Sequence, residues 1–194
     1  PVLPIGMVTV ATQLRKAGHE VCCVDLMFEE EERDHVQNHV RDFKPDMVGI
    51  SIRNVDSLNF LEPAIYTPLA LEVAEWSREI QPGVTIVLGG AGFTTSPEDL
   101  MGFVGAEYGI LGFAEESFVA MVDDLVAGRE PREVNGIIFP EGEGYYKNEP
   151  TFDIDYTKIE IPAKDLYDPR YFTYAFETHE GIERVSQTIQ TKKG

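Results

Sequence analysis

Met7, Val10, Ala11, Leu14 and Ala17 recur at helical spacing, and Gly18 follows them as a stop. Val21-Cys22-Cys23-Val24 then reads as a buried strand that ends at Asp25. Helical spacing resumes from Glu29 to Phe43, with Val36, Val40 and Phe43 on the apolar side and Lys44-Pro45-Asp46 as the break. Met47 to Ser51 is the next strand. Pro63 to Ile80 contains a helix with Leu69, Val73, Trp76 and Ile80 on one stripe, closed by Gln81-Pro82-Gly83. Val84 to Leu88 is the clearest strand of the chain. A short helix is predicted from Pro97 with Ser96 as N-cap, then a short strand over 107–111 and a helix from Glu115 to Ala127, closed by Gly128.

Continuous apolar strands alternating with helices predict an α/β domain: a doubly wound parallel sheet, Rossmann-like or flavodoxin-like, covered on both faces. Ligands of such sheets sit beyond the carboxyl ends of the strands. The domain is expected over residues 1–130. Residues 131–182 read as a hairpin and linker, the hairpin strands flanking Pro140-Glu141-Gly142-Glu143-Gly144. From Glu149 to Gly181 the periodicity is weak, and the linker is expected to lie on something else. Its aromatic residues Tyr167, Tyr171, Phe172, Tyr174 and Phe176 either form a local cluster or pack on a further domain. Glu183 to Thr191 alternates as a strand does. A doubly wound domain opens with a strand, yet this sequence opens on a loop and a helix. A slot is therefore expected in the sheet, filled by upstream residues or, failing those, by 183–191, in its own chain or in a swapped dimer.

Composition narrows the partners. Sixteen basic against 34 acidic residues among 194 give a net charge of −18, which disfavours nucleic acid and anionic membrane. No apolar run approaches the roughly 20 residues of a spanning helix, and Pro1 to Gly6 lacks the pattern of a signal peptide. The abrupt start without Met reads as the interior of a longer chain. Cys22 and Cys23 are adjacent, which fits neither a disulfide framework nor metal-ligand spacing, and a reducing cytoplasm is the expected compartment. No catalytic residue and no metal ligand is assigned. His35 and His39 are four apart, but an exposed acidic helix face is the better account of them. Cys22 and Cys23 are expected as small buried hydrophobes, Glu29 to Glu32 as a solvated helix start, and Asp123-Asp124 as surface residues.

The candidate chemistry lies in the loops after the strands. Gly89-Gly90-Ala91-Gly92-Phe93-Thr94 follows the strongest strand, and glycines there allow a ligand to approach the backbone. It is neither the dinucleotide fingerprint nor a P-loop. Ser51-Ile52-Arg53-Asn54 leaves the preceding strand at the same edge and offers hydrogen-bonding groups. The third loop is Gly112-Phe113-Ala114-Glu115. Three such loops converging on one edge suit a large planar ligand with a polar tail.

These segments together resemble the cobalamin-binding domain of radical S-adenosylmethionine enzymes. The resemblance runs through Pro4-Ile5-Gly6, Arg15-Lys16-Ala17-Gly18-His19-Glu20-Val21, Val24-Asp25-Leu26, Pro45 to Ser51 and Val87-Leu88-Gly89-Gly90, and covers residues 1–140. It implies a module that positions cobalamin for methyl transfer or another radical reaction, with S-adenosylmethionine and a 4Fe-4S cluster bound by a further domain of the parent chain. That domain and a small-molecule substrate are the implied partners. Ile189 to Gly194 resembles the strand before the cluster cysteines, so 183–194 would be the first strand of that domain. The chain alone is then expected to catalyse nothing. The resemblance places the cofactor's tail between Ser51 and Gly89-Gly90 and the corrin ring on Leu3-Pro4, Arg53-Asn54 and Phe93, with Ile52, Ala91, Gly92, Thr94, Gly6, Gly112, Phe113 and Glu115 around it. Gly90→Leu is accordingly expected to block the tail and spare the fold. Two departures stand out. Leu3 occupies the place of the cobalt-binding His of related methionine synthases, and the family's Gly-Glu-Gly-Glu loop is here Gly-Phe-Ala-Glu. They leave an alternative open: an α/β domain that has lost the cofactor and serves as substrate cradle or interaction module.

Overall fold

Three parallel strands and an antiparallel hairpin form one five-stranded sheet in sequence order, β1 (Met47–Ser51), β2 (Thr85–Gly89), β3 (Tyr108–Ile110), β4 (Ile137–Glu141) and β5 (Gly144–Lys147). The computed structural model describes residues 2–57, 65–152, 155, 157–172, 175–177 and 183–185. Among the described residues six α-helices accompany the sheet: α1 (Ile5–Lys16), α2 (Glu32–Phe43), α3 (Thr67–Ile80), α4 (Ala91–Thr95), α5 (Pro97–Val104) and α6 (Ser117–Val126). The predicted doubly wound α/β class is thus realised, with the hairpin added to the sheet rather than set apart from it.

Alternation along the strands divides the core in two. Val48, Ile50, Ile86 and Leu88 face Ala70, Ala74, Phe93, Leu100 and Met101 on one side. Met47, Val87, Ile110, Ile137 and Phe139 face Phe118, Met121 and Leu125 of α6 on the other. The stripe predicted for the third helix is displaced. Ala70, Ala74 and Ser77 are its buried line, while Leu69, Val73, Trp76 and Ile80 are only half-buried flanks. Small residues let the helix lie close to the sheet, and its flanks serve the contacts with α2 and α5.

Two predicted strands differ from expectation. Val21 to Val24 is not in a strand; Cys22 is exposed and Cys23 half-buried. A strand needs a ladder partner, and β1 is the edge of the sheet among the described residues, with nothing hydrogen-bonded between it and Val21–Val24. Burial pushes both thiols up, that of Cys23 to about 11, so neither is a thiolate at neutral pH. The second difference is at the carboxyl end of the chain. Residues 183–185 (β7) pair antiparallel with 175–177 (β6) in a separate two-stranded sheet, and so do not fill the slot beside β1. Residues 186–191 lie outside the described residues, as does Tyr174.

The linker folds back on its own domain. Thr12 Oγ1 accepts from Ala163 N–H (3.0 Å), Gln13 Nε2 donates to Glu160 O (3.5 Å), Arg15 pairs twice with Asp165 (2.6 and 3.2 Å), and Lys16 pairs with Glu160 (2.6 Å). This cover explains why Thr9, Thr12 and Gln13 are buried on α1, a polar side that hydrophobic spacing did not mark. Further on, Tyr171 is buried edge-on against Phe28 and donates to Asp25 Oδ2 at 2.7 Å. Arg170 pairs with Asp168 and Glu29 and lies over the Phe28 ring. The Tyr171 aromatic thus belongs to a local cluster. Glu29 is drawn from its expected place in a solvated helix start; His35 Nδ1 also lies 3.3 Å from it.

This latch carries a pH expectation. Arg170 holds the Glu29 and Asp168 carboxyls below their usual range. Groups with lowered folded values contribute stability that is present above the ordinary carboxylate range and lost as pH falls through the lowered values. Acidification below that range is expected to release residues 160–172 first, seen as faster amide exchange there while the sheet stays protected. Uniform protection down to global unfolding would contradict it.

Candidate functional site

β1 and β2 run in register, Gly49 beside Val87 and Ser51 beside Gly89. Residues 47, 49 and 51 and residues 87 and 89 therefore share the face that α6 covers, since Met47 and Val87 pack in its core. Gly49 and Ser51 are nevertheless exposed. The Phe118 ring of α6 lies 3.4 Å from where a Gly49 Cβ would stand, and a Cβ on Gly89 would meet nothing nearer than Ile110 O at 3.9 Å. These three small residues leave a strip free of large side chains beside the Phe118 ring, a shallow trough. Gly49, Ser51 and Gly89 floor it, Phe118 walls it, and it opens at the carboxyl ends of the strands.

The loops above the trough are laced together. Ile52 N–H donates to Gly89 O (2.8 Å), and Ile52 O accepts from Gly92 N–H (2.8 Å). Thr94 Oγ1 reaches Gly90 O (3.2 Å) and accepts from Gly112 N–H (3.1 Å). Thr95 Oγ1 donates to Gly92 O at 2.7 Å. The expected convergence of the three loops on one edge is therefore present.

Individual residues differ in what they offer. Ser51, Arg53, Asn54 and Ala91 are exposed at the edge, and Gly89, Gly90 and Thr94 partly so. Leu3 and Pro4 are half-buried just before α1, and Gly6 is exposed in its first turn. Ile52 turns into the core, and Phe93 is fully buried, its ring where a Cβ on Gly109 would stand. The expectation that the corrin rests on Phe93 is corrected to that extent: the ring is a core residue. Glu115 is buried, and Gly112 is covered by the segment Pro150–Phe152.

Gly90 also plays a different part from the one expected. Its φ is +98°, and a Cβ there would stand 2.5 Å from Ile52 O. The space beside Gly90 is taken by the backbone of the neighbouring loop, so a side chain there would disturb the fold as well as any tail. Gly49, by contrast, was not singled out in the sequence. A glycine inside an apolar strand, two residues before Ser51 and so on the same face, is the signal that would have found it.

A model of the B12 binding domain matches residues 1–122. The chain belongs to the B12-binding domain family. Among curated relatives of this B12-binding domain, tryptophan 2-C-methyltransferase of Streptomyces laurentii is 28% identical over 168 residues, 85% of this chain and 26% of that one. An uncharacterized methyltransferase of Pyrococcus horikoshii is 29% identical over 166 residues, 84% of this chain and 34% of that one. Among solved structures, the radical S-adenosylmethionine methyltransferase TsrM from Kitasatospora setae, with cobalamin and a [4Fe-4S] cluster bound, superposes with a TM-score of 0.70 at 25% identity, covering 90% of this chain and 31% of that one. The cobalamin-dependent radical enzyme OxsB shares the fold, with a TM-score of 0.69 at 19% identity, over 86% of this chain and 22% of that one. The chain thus spans about a quarter to a third of the length of the curated relatives it matches.

The residues present fit the family's cofactor. An exposed serine hydroxyl lies beside two glycines in a trough that side chains would fill, directly below the carboxyl edge. Position 3 is Leu3, half-buried just before α1. The segment Ile137 to Lys147 places Glu141-Gly142-Glu143-Gly144 in the hairpin turn, Gly142 at φ +60°, away from the parallel strand ends. Among the described residues no cluster of three or more His, Cys, Asp or Glu is arranged to hold a metal ion, and no helix is long and apolar enough to cross a membrane.

Proposed function

We propose that this domain holds cobalamin with its tail in the trough of Gly49, Ser51 and Gly89 and its corrin ring on the carboxyl edge formed by Leu3-Pro4, Arg53-Asn54 and Ala91. The observation that carries the reading is the open trough on a face that helices otherwise cover, at the end of the family's serine strand and glycine strand. Ser51 Oγ supplies a hydrogen bond to the tail base, and Gly49 and Gly89 supply room. Arg53 and Asn54 present polar groups to the ring's amide side chains. Bound cobalamin would supply the methyl-carrying or redox chemistry, and the protein sets its position and axial ligation.

The parent reaction is a methyl transfer or a related radical reaction on a small molecule. It is completed by a domain carrying S-adenosylmethionine and a 4Fe-4S cluster, in a reducing cytoplasm. The support is the domain's likeness to part of two methyltransferases, one of them acting on tryptophan. Docking of the linker onto α1, and of its Tyr171 onto Phe28 and Asp25, gives that next domain a fixed point of departure.

Hydroxocobalamin mixed with the 194-residue chain is expected to remain with it through gel filtration, with a shifted visible spectrum. Reduced to Co(II), it should show no nitrogen superhyperfine splitting in electron paramagnetic resonance, because Leu3 offers no donor. Splitting from a protein nitrogen would overturn the axial-ligand reading, and failure to retain the cofactor would favour the substrate-cradle alternative.

A further inference from the structure

The third loop carries Phe113 and Ala114 after Gly112, and a segment from outside the family-matched region lies on it. Residues 150–152 follow β5, beyond residue 122 where the family match ends. The hairpin anchors them: Gly136 N–H donates to Glu149 O (3.0 Å), and the Asn148 side-chain amide donates to Val134 O (3.0 Å). From there the chain crosses Gly112 at close range. A Cβ on Gly112, whose φ is +71°, would stand 3.0 Å from Pro150 Cβ and 3.2 Å from both Phe152 Cε1 and Thr151 O. Gly112 in turn donates to Thr94, and Thr94 reaches Gly90, so the strap, the third loop and the glycine loop form one connected rim.

At that rim Phe113 and Phe152 meet edge to face, ring centres 5.6 Å apart. Phe152 is 63% exposed. A phenylalanine at the end of the strap, against Phe113 and with most of its surface in water, has apolar area left to bury.

We propose that Pro150–Phe152 is a fourth wall of the cofactor site, and that the Phe113–Phe152 pair is an apolar contact surface for the rim of the corrin ring. The proposal rests on the cobalamin reading of the trough. The corrin periphery carries methyl groups as well as amides, so the exposed face of an aromatic pair has apolar surface to meet there. A second copy of this chain is the less suitable occupant, because a net charge of −18 on each copy opposes their approach. The contiguity of the pair with the glycine loop selects the cofactor.

Titration of the 194-residue chain with hydroxocobalamin, followed by visible absorption, tests this. Phe152→Ala is expected to weaken binding roughly tenfold, the loss of about one buried aromatic contact, with thermal stability unchanged. Phe152→Leu, which keeps the apolar surface, is expected to bind nearly as the parent does. Hydroxocobalamin should also slow amide exchange at Phe152 and Phe113 together. Equal affinity of Phe152→Ala and parent overturns the strap's role, as does protection of 113 without 152. A parent that takes up no hydroxocobalamin overturns the strap and the trough alike, so the two failures differ.

Discussion

Gly90→Leu is expected to destabilise the domain by roughly 2–6 kcal/mol and to abolish cobalamin uptake with it. The backbone at Gly90 has φ +98° and ψ 168°, a region that residues other than glycine enter at a cost of about 1–3 kcal/mol. To this is added overpacking, typically about 1–3 kcal/mol, because a Cβ would press on Ile52 O at 2.5 Å. Relief by movement is limited. Ile52 is tied on both sides, its N–H to Gly89 O and its O to Gly92 N–H, and its side chain sits in the core with Leu88 and Phe93. Two loops would have to separate. Against a total stability of about 5–15 kcal/mol, that is a large fraction. Urea unfolding checks it: a midpoint within error of the parent would show that the loops part cheaply.

Much of the fold was legible because Ile86, Val87 and Leu88 are buried on the two faces of β2, and Met47, Val48 and Ile50 of β1 pack against the same two cores. Met47–Ser51 and Thr85–Gly89 appear in the sequence as continuous apolar runs with turn residues at each end. The helices before and after them follow from spacing and from Gly18 and Gly128 as stops. Val21–Val24 misled for the same reason that the others succeeded. An apolar run reports a tendency to be buried in a sheet but not whether a partner strand is present to pair with it. The polar part of the buried side of α1, Thr9, Thr12 and Gln13 beside Val8 and Ala11, was illegible from hydrophobic spacing, and its cover comes from a segment some 150 residues away that donates Ala163 N–H to Thr12. At the site, the serine and glycine loops were found from their place after strands. The division of labour between Gly89 and Gly90 was not. It depends on which of two adjacent residues faces the neighbouring backbone, a matter of register and φ that a Gly-Gly pair does not reveal.

That division also links packing to function along the rim. Ile52, Gly92, Thr94 and Gly112 connect three loops through backbone atoms and one hydroxyl, so the edge is fixed before any ligand arrives. A preformed edge loses less freedom on binding, which favours affinity for a large rigid ring.

Gly89→Leu should behave in the opposite way to its neighbour: binding lost, fold kept. Gly89 closes β2 in ordinary strand pairing with Ser51, outside the positive-φ glycines, so a side chain brings no backbone strain. The nearest atom to its Cβ position is Ile110 O at 3.9 Å, an ordinary contact. The rest of the leucine would extend into the trough between Ser51 and Phe118, displacing solvent rather than protein. Thermal stability is therefore expected to stay near that of the parent, within the roughly 0.5 kcal/mol typical of changes away from packed features. The tail base has no such freedom. A planar aromatic group threading beside Ser51 needs the volume that the leucine fills, and overlap of that size weakens binding by more than a hundredfold, about 3 kcal/mol. Absorption titration with hydroxocobalamin alongside thermal unfolding decides the matter. Loss of stability without loss of affinity would place the tail elsewhere. Parent-like behaviour in both would mean that the trough of Gly49, Ser51 and Gly89 is not the cofactor's channel.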